Sequence, residues 1–192
     1  MRWYKVLSFV IVMMISADVS AQNLITLSDS LSTLTYSQVN RCPVIVSWLI
    51  RSHDLQGSVG RSSSRFTIDD RLPSPQVTHD DYNRSGYDRG HMVPSEDKQA
   101  ASSINRMTFR TSNVAPQLPS LNRGQWKHTE NVCRQLALRH DSVRVVVHAL
   151  FTPHWVHHIG AHAIRVPDHF RKVVSKAAND SVIYIWDICN HD

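Results

Sequence analysis

The residues that could do chemistry crowd between Ser85 and Arg134. Asp88-Arg89-Gly90-His91 places an acid, a guanidinium and an imidazole side by side. An unperturbed histidine titrates near about pH 6.5, so a neutral imidazole can accept a proton at neutral pH. An arginine can fork onto two phosphate oxygens. In an extended tetrapeptide the side chains alternate, so Arg89 and His91 share one face and Asp88 and Gly90 the other. A proton acceptor beside a phosphate clamp suits phosphodiester hydrolysis. Further on, Asn122, Glu130 and Arg134 fall in a helical pattern. Glu130 and Arg134 are one turn apart. Asn122 and Glu130 differ by about 80° around a straight helix, so they can border one groove. Oxygen donors of this kind suit Mg²⁺, which keeps most of its waters. Taken singly, each residue has a plainer reading. Asp88-Arg89-Gly90-His91 reads as a surface loop with an ion pair, Asn122 as a helix-start residue and Asn113 as a turn residue. Glu130 with Arg134 reads as a solvated pair.

A frame must hold these groups. Val44–Ile50 is a short apolar run and reads as a strand. Residues 51–64 and 69–86 are polar or Pro- and Gly-bearing and read as loops. Ser120 to about His140 reads as a helix, with Ser120 as its cap and Leu121, Trp126, Cys133, Leu136 and Ala137 as its apolar stripe. Gly124 weakens the start of that helix. Val143–Phe151, Ala163–Val166, Phe170–Ser175 and Val182–Ile188 are β-branched runs and read as strands. The expectation is an α+β domain, mostly sheet, with one long helix past the middle of the chain.

Composition narrows the class. The chain has 192 residues, 42% hydrophobic and 19% charged, which excludes disorder and a coiled coil and suits one domain of ordinary size. The formal net charge of +5 fits a polyanionic partner without establishing one. Residues 1–21 read as a signal peptide: Arg2 and Lys5 precede the apolar run Val6–Ala17, and Val19-Ser20-Ala21 offers a cleavage site before Gln22. The expectation is a secreted or periplasmic domain over 22–192 with no membrane span. Export would allow a disulfide among Cys42, Cys133 and Cys189, with the pair left open.

Ordered along the chain, the chemical residues resemble a known family. Asp88-Arg89-Gly90-His91 is followed by Ser112-Asn113-Val114-Ala115-Pro116-Gln117, then by Leu121-Asn122 with Trp126 and Glu130. This is similar to the DNA/RNA non-specific endonucleases of the ββα-metal (His-Me finger) class, which include secreted sugar-non-specific nucleases and mitochondrial endonuclease G. Weaker similarity runs from about Tyr36 to Val174, through Asp80, Tyr82, Val166-Pro167 and Lys172.

The resemblance implies a ββα-metal fold, mainly antiparallel sheet with a long helix after the Asp-Arg-Gly-His strand. It implies a Mg²⁺-dependent endonuclease that cuts DNA and RNA with little sequence preference and leaves 5′-phosphate ends, Mn²⁺ or another divalent ion substituting. His91 would be the general base. Asn122 would bind the metal directly and Glu130 through water. Arg89 and Arg134 would steady the phosphate, and Asp88 and Asn113 would orient the site. An arginine before Phe66-Thr67-Ile68-Asp69 would join them, Arg61 being favoured over Arg65. Besides DNA and RNA, the resemblance leaves room for an inhibitor protein and a homodimer as partners. The chain is short for the family, and His148-Ala149 stands where a glycine-proline turn is common.

Two other functions compete. One is a catalytically silent nucleic-acid-binding module on the same fold. The other is a metallohydrolase built on His154, His157, His158 and His162, whose spacing could bind Zn²⁺ although no carboxylate or cysteine lies among them. The plainer reading of that segment is a mildly basic loop.

Overall fold

A computed structural model describes residues 23–60 and 65–191. The proposed signal peptide and Arg61 therefore lie outside the described residues. Six antiparallel strands form the main sheet in the order β1-β2-β3-β6-β9-β10. They are β1 Leu24–Ser28, β2 Thr33–Ser37, β3 Cys42–Arg51, β6 Ser142–Leu150, β9 His169–Lys176 and β10 Val182–Cys189. The centre of the sheet follows directly from sequence: in β6, Val143, Val145, Val147 and Ala149 alternate inward while their neighbours are partly exposed. The departure at His148-Ala149 leaves β6 regular, its pairing with β9 running on to Leu150↔His169.

The helix predicted from Ser120 is real but differently built. It starts at Pro119, in α2 (Pro119–Leu121), passes through a wide turn at Asn122–Trp126, and continues as α3 (Lys127–His140). Ser120 is not the cap. Proline needs no N–H partner at the first helical position, and the preceding Leu118 N–H is taken by the Asn190 Oδ1 at 2.9 Å. The wide turn holds Gly124 out of helical geometry (φ −105°, ψ −106°). Wide turns of this kind often mark functional sites in helices.

Below the turn, Trp126, Cys133, Leu136 and Ala137 bury against Trp48, Ile50, Val145, Val147 and Phe170 of the sheet. A second core of Cys42, Val77, Tyr82, Val114, Ile159, Ile164 and Val166 lies under the loops. It includes the short pair β7 (His158–Ile159) and β8 (Ile164–Arg165). Between the two cores sits the hairpin of β4 (Asp88–His91) and β5 (Val114–Gln117). One short helix, α1 (Ser102–Met107), precedes β5. The three cysteines are all free, Cys42 and Cys133 buried in different cores and Cys189 exposed, so no disulfide forms. Among the described residues no helix is long and apolar enough to cross a membrane.

Candidate active site

β4 carries the acid, guanidinium and imidazole to the edge of a groove of about 200 Å³ lined by His91, Pro94, Ser95, Glu96, Asn122, Arg123, Lys127 and Glu130. Two elements supply it, the β4 hairpin on one side and the α2–α3 helix on the other. Asn122 and Glu130 share the groove, although the intervening wide turn means the angle expected for a straight helix does not apply.

His91 is 7% exposed and wedged between aromatic rings, 5.0 Å from Phe109 edge-on and 5.3 Å from Phe66. That packing fixes the ring plane. Arg89 also lies over Phe66, its guanidinium carbon 5.8 Å from the ring centre, as the shared strand face requires. Its Nε and Nη2 donate to the His79 carbonyl and its Nη2 to Asn83 Oδ1. No hydrogen bond among the described residues uses its Nη1. Among the described residues, Arg65, Phe66, His79 and Arg89 line an adjoining cleft, which sets Arg65 beside Arg89.

Asp88 faces the helix. Arg123 grips its carboxylate with two bonds (2.9 and 2.8 Å), and Asn122 Nδ2 donates to Asp88 Oδ2 at 3.0 Å. A carboxylate only accepts, so it selects the amide nitrogen of Asn122 and leaves Oδ1 as the oxygen for another ligand. Asn113 is 1% exposed. It clasps the chain just past His91, its Oδ1 accepting from Val93 N–H and its Nδ2 donating to the Val93 and Thr108 carbonyls. Ser112 is fastened to buried Asp69 at 2.6 Å, which in turn pairs with Arg71.

Arg134, expected beside the phosphate, is engaged by two carboxylates. Its side chain is 14% exposed, and its guanidinium pairs with Asp97 and Glu96, both at 2.9 Å. The reason is Asp97, 1% exposed and, among the described residues, otherwise held at its carboxylate by the Trp48 indole N–H. A buried carboxylate demands a cation, and Arg134 on α3 is within reach. Even so, burial pushes Asp97 above the usual carboxylate range. Burial likewise pushes the half-buried Glu130 up to about 7, with Lys172 opposing and Asp97 adding to the rise. Lys172, itself buried, sits 3.6 Å over the Trp126 ring and donates to Thr129 Oγ1.

Sequence reading missed Glu96, Arg123 and Lys127 in the groove. Lys127 was detectable, three residues before Glu130 and hence on the same helical face. Glu96 was not, because a short turn after β4 brings it in. Among the described residues the histidine-rich segment does not assemble a metal cluster. His162 is bound to Asp81 through its N–H and its ring nitrogen, His157 packs on Tyr87 and Trp155, and His158 lies in β7. Asp81 thereby ties this segment to the His79–Tyr82 turn that holds Arg89.

The sequence pattern of the family described as DNA/RNA non-specific endonuclease matches residues 15–188. Mitochondrial endonuclease G of Bos taurus is 34% identical over 151 residues, covering 73% of this chain and 50% of that protein. Mitochondrial nuclease EXOG of Danio rerio is 32% identical over 151 residues, covering 73% of this chain and 44% of that protein. The chain thus spans about half the length of the curated relatives it matches. A crystal structure of the EndoG/EndoGI complex, on the mechanism of EndoG inhibition, aligns with a TM-score of 0.80 at 29% identity. It covers 86% of this chain and 74% of that one. The fold is the ββα-metal fold expected, an antiparallel sheet whose central strands carry the long helix on one face, with the β4–β5 pair beside it. The relatives overturn the expected secreted or periplasmic location, since they are mitochondrial nucleases. A basic start with an apolar run is an address read by a receptor, and hydropathy alone does not name the destination.

Two consequences can be measured. A Cβ on Gly90 would lie 2.3 Å from the side chain of Gln117, which is fully buried and cannot swing away. Gly90→Ala should therefore cost about 1–3 kcal/mol in urea unfolding, and adding Gln117→Ala should recover most of it. At Asp81, burial acts to raise the carboxyl, but the Thr78 and His162 bonds outweigh it and hold the group below its ordinary range. Its contribution is full above the unfolded value near about pH 4 and is lost as pH falls through the folded value. Asp81→Asn should lower stability by about 1–3 kcal/mol at neutral pH and flatten the loss at acid pH, read by thermal melts.

Proposed function

This chain belongs to the DNA/RNA non-specific endonuclease family, and from that premise we propose that residues 22–192 form one nuclease domain that hydrolyses phosphodiester bonds of DNA and RNA. The observation that carries this reading is the meeting of His91 with Asn122 and Glu130 across one groove, with Arg89 beside them. His91 accepts a proton from the attacking water as its oxygen bonds to phosphorus. The bond from phosphorus to the 3′ oxygen breaks, the 3′ oxygen takes up a proton, and the products carry a 5′-phosphate and a 3′-hydroxyl. Arg89 offers its Nη1 to a phosphate oxygen, with Arg65 behind it. Every one of these contacts is to phosphate, which DNA and RNA share, so neither sugar nor sequence is read.

The donor set fits a hard divalent cation. Asn122 Oδ1 is oriented by Asp88, Glu130 stands on the same groove, and Ser95 and Glu96 add oxygens. Asn122 would hold the ion directly and Glu130 through water. Mg²⁺ bound there, or Mn²⁺ in its place, supplies charge that polarises the phosphate and offsets the departing oxyanion. Asp88 acts as a positioning residue through Asn122, and Asn113 through the chain after His91. Arg134 acts through Asp97 and Glu96 rather than on the phosphate. The EndoG/EndoGI structure is a nuclease complex bearing on inhibition, so an inhibitor protein is one partner reading for this chain, and pairing of two copies is the other.

Supercoiled plasmid and single-stranded RNA test the proposal, incubated with the full chain in Mg²⁺ or EDTA. Both substrates should be cut, with cutting lost in EDTA and reduced at least about 10³-fold in His91→Ala. Cutting that survives His91→Ala sinks the assignment of the base. Binding without cutting in any divalent ion leaves a binding module on a nuclease fold. Asp88→Asn should raise the Mg²⁺ concentration needed for half-maximal rate by about 10–100-fold, because the amide of Asn122 is no longer held nitrogen-first.

A further inference from the structure

A second cluster of metal-ligating side chains lies away from the groove. His169 at the start of β9 pairs directly across the sheet with Cys189 at the end of β10, and His191 follows two residues on. The ligating atoms of His169, Cys189 and His191 all lie within 4.8 Å of one another. Among the described residues this is the only such group of three. The two imidazole rings stand edge to face at 5.3 Å, and the Cys189 thiol donates to the His191 carbonyl at 3.3 Å.

The backbone under the cluster is unusually well held. Asn190, between two of the three side chains, is fully buried. Its Nδ2 donates to the Pro116 and Pro167 carbonyls, its Oδ1 accepts from Leu118 N–H, and its own N–H donates to Asp168. A residue tied at four points fixes the chain on both sides of it. His169 is fixed independently by the β9–β10 ladder. Three ligands on a rigid frame are what a preorganised metal site needs.

We propose that His169, Cys189 and His191 bind a zinc-class transition metal ion, separate from the divalent ion of the groove. One thiolate and two imidazoles are soft to borderline donors, which favour Zn²⁺ over Mg²⁺. Tetrahedral binding would bring the ligand atoms to about 3.5 Å apart, a closure that side-chain rotation alone can make. The Cys189 proton leaves to solvent as the metal–sulfur bond forms, and water takes the fourth position. The ion would join β9 to the tail after β10. Through Asn190 it would also brace Pro116 and Leu118, where β5 passes into the helix that carries Asn122.

The test uses the full chain with Mg²⁺ saturating the groove, titrated with Co²⁺ and then Zn²⁺. One Co²⁺ per chain should bind with thiolate-to-cobalt charge-transfer absorption, displaced by Zn²⁺. The absorption should vanish in Cys189→Ser and in His191→Gln and persist in Asn122→Ala. A roughly hundredfold excess of Zn²⁺ over its dissociation constant should raise the melting temperature by about 5 °C or more, and not in Cys189→Ser. Because Cys189 is exposed, its serine variant should fold as the parent does. Absence of the absorption, its survival in Cys189→Ser, its loss in Asn122→Ala, or equal Zn²⁺ stabilisation of parent and Cys189→Ser overturns the proposal.

Discussion

A carboxylate with almost no exposure anchors this structure. Asp97 is buried beneath the groove, and a charge there is tolerated only if the surroundings repay its lost hydration. The repayment comes from three elements far apart in sequence. Trp48 reaches from β3, Arg134 from α3, and Lys172 stands nearby on β9. None of these can move without leaving a buried charge exposed to a low-dielectric interior. The helix, the sheet and the turn after β4 are therefore held in one mutual arrangement. The same turn is fixed from the other side by Asn105 of α1, which donates to the Ser95 and Lys98 carbonyls.

On that base the groove has two well-supported walls. The hairpin wall depends on close approach, with Gly90 leaving room for the buried Gln117 side chain. Asn113 then clamps the strand as it leaves His91. The helical wall begins where Asn190 accepts from Leu118 N–H, so the tail of the chain decides where the helix starts. Asp88 crosses between the walls, receiving Asn122 and Arg123. His91 and Asn122 are thus carried on a strand and a helix, while turns and loops supply the Ser95–Glu96 rim and the outer contacts of Arg89.

Similarity to the endonuclease G and EXOG nucleases and to the EndoG/EndoGI structure agrees with this arrangement and adds a boundary to it. The matched relatives are about twice as long as the region they share with this chain, so their extra segments have no counterpart in what aligns. The family match over residues 15–188 takes in the hairpin, the helix and the sheet beneath them.

Local chemistry made much of this readable in one dimension. The period-two burial of β6, the apolar runs of β3, β9 and β10, and the helix beyond Pro119 all follow from side-chain pattern. So do the order and spacing of Asp88-Arg89-Gly90-His91, Ser112-Asn113, Asn122 and Glu130. Strands β1, β2 and β5 were not readable, because they are short and polar or consist of a Pro-containing segment whose pairing is set by a distant partner. The fate of Arg134 was likewise hidden. Its spacing from Glu130 said only that the two share a helical face, whereas the partner that claims it, Asp97, lies far off in sequence. The histidines tell the same story. Among the described residues the crowded stretch from His154 to His162 assembles no metal cage, while His169, Cys189 and His191 are gathered by strand pairing across a hairpin. Spacing along a chain specifies what a segment can do alone. Which charges are buried together, and which ligands converge, is decided by folding, because burial and strand register join residues that no local pattern connects.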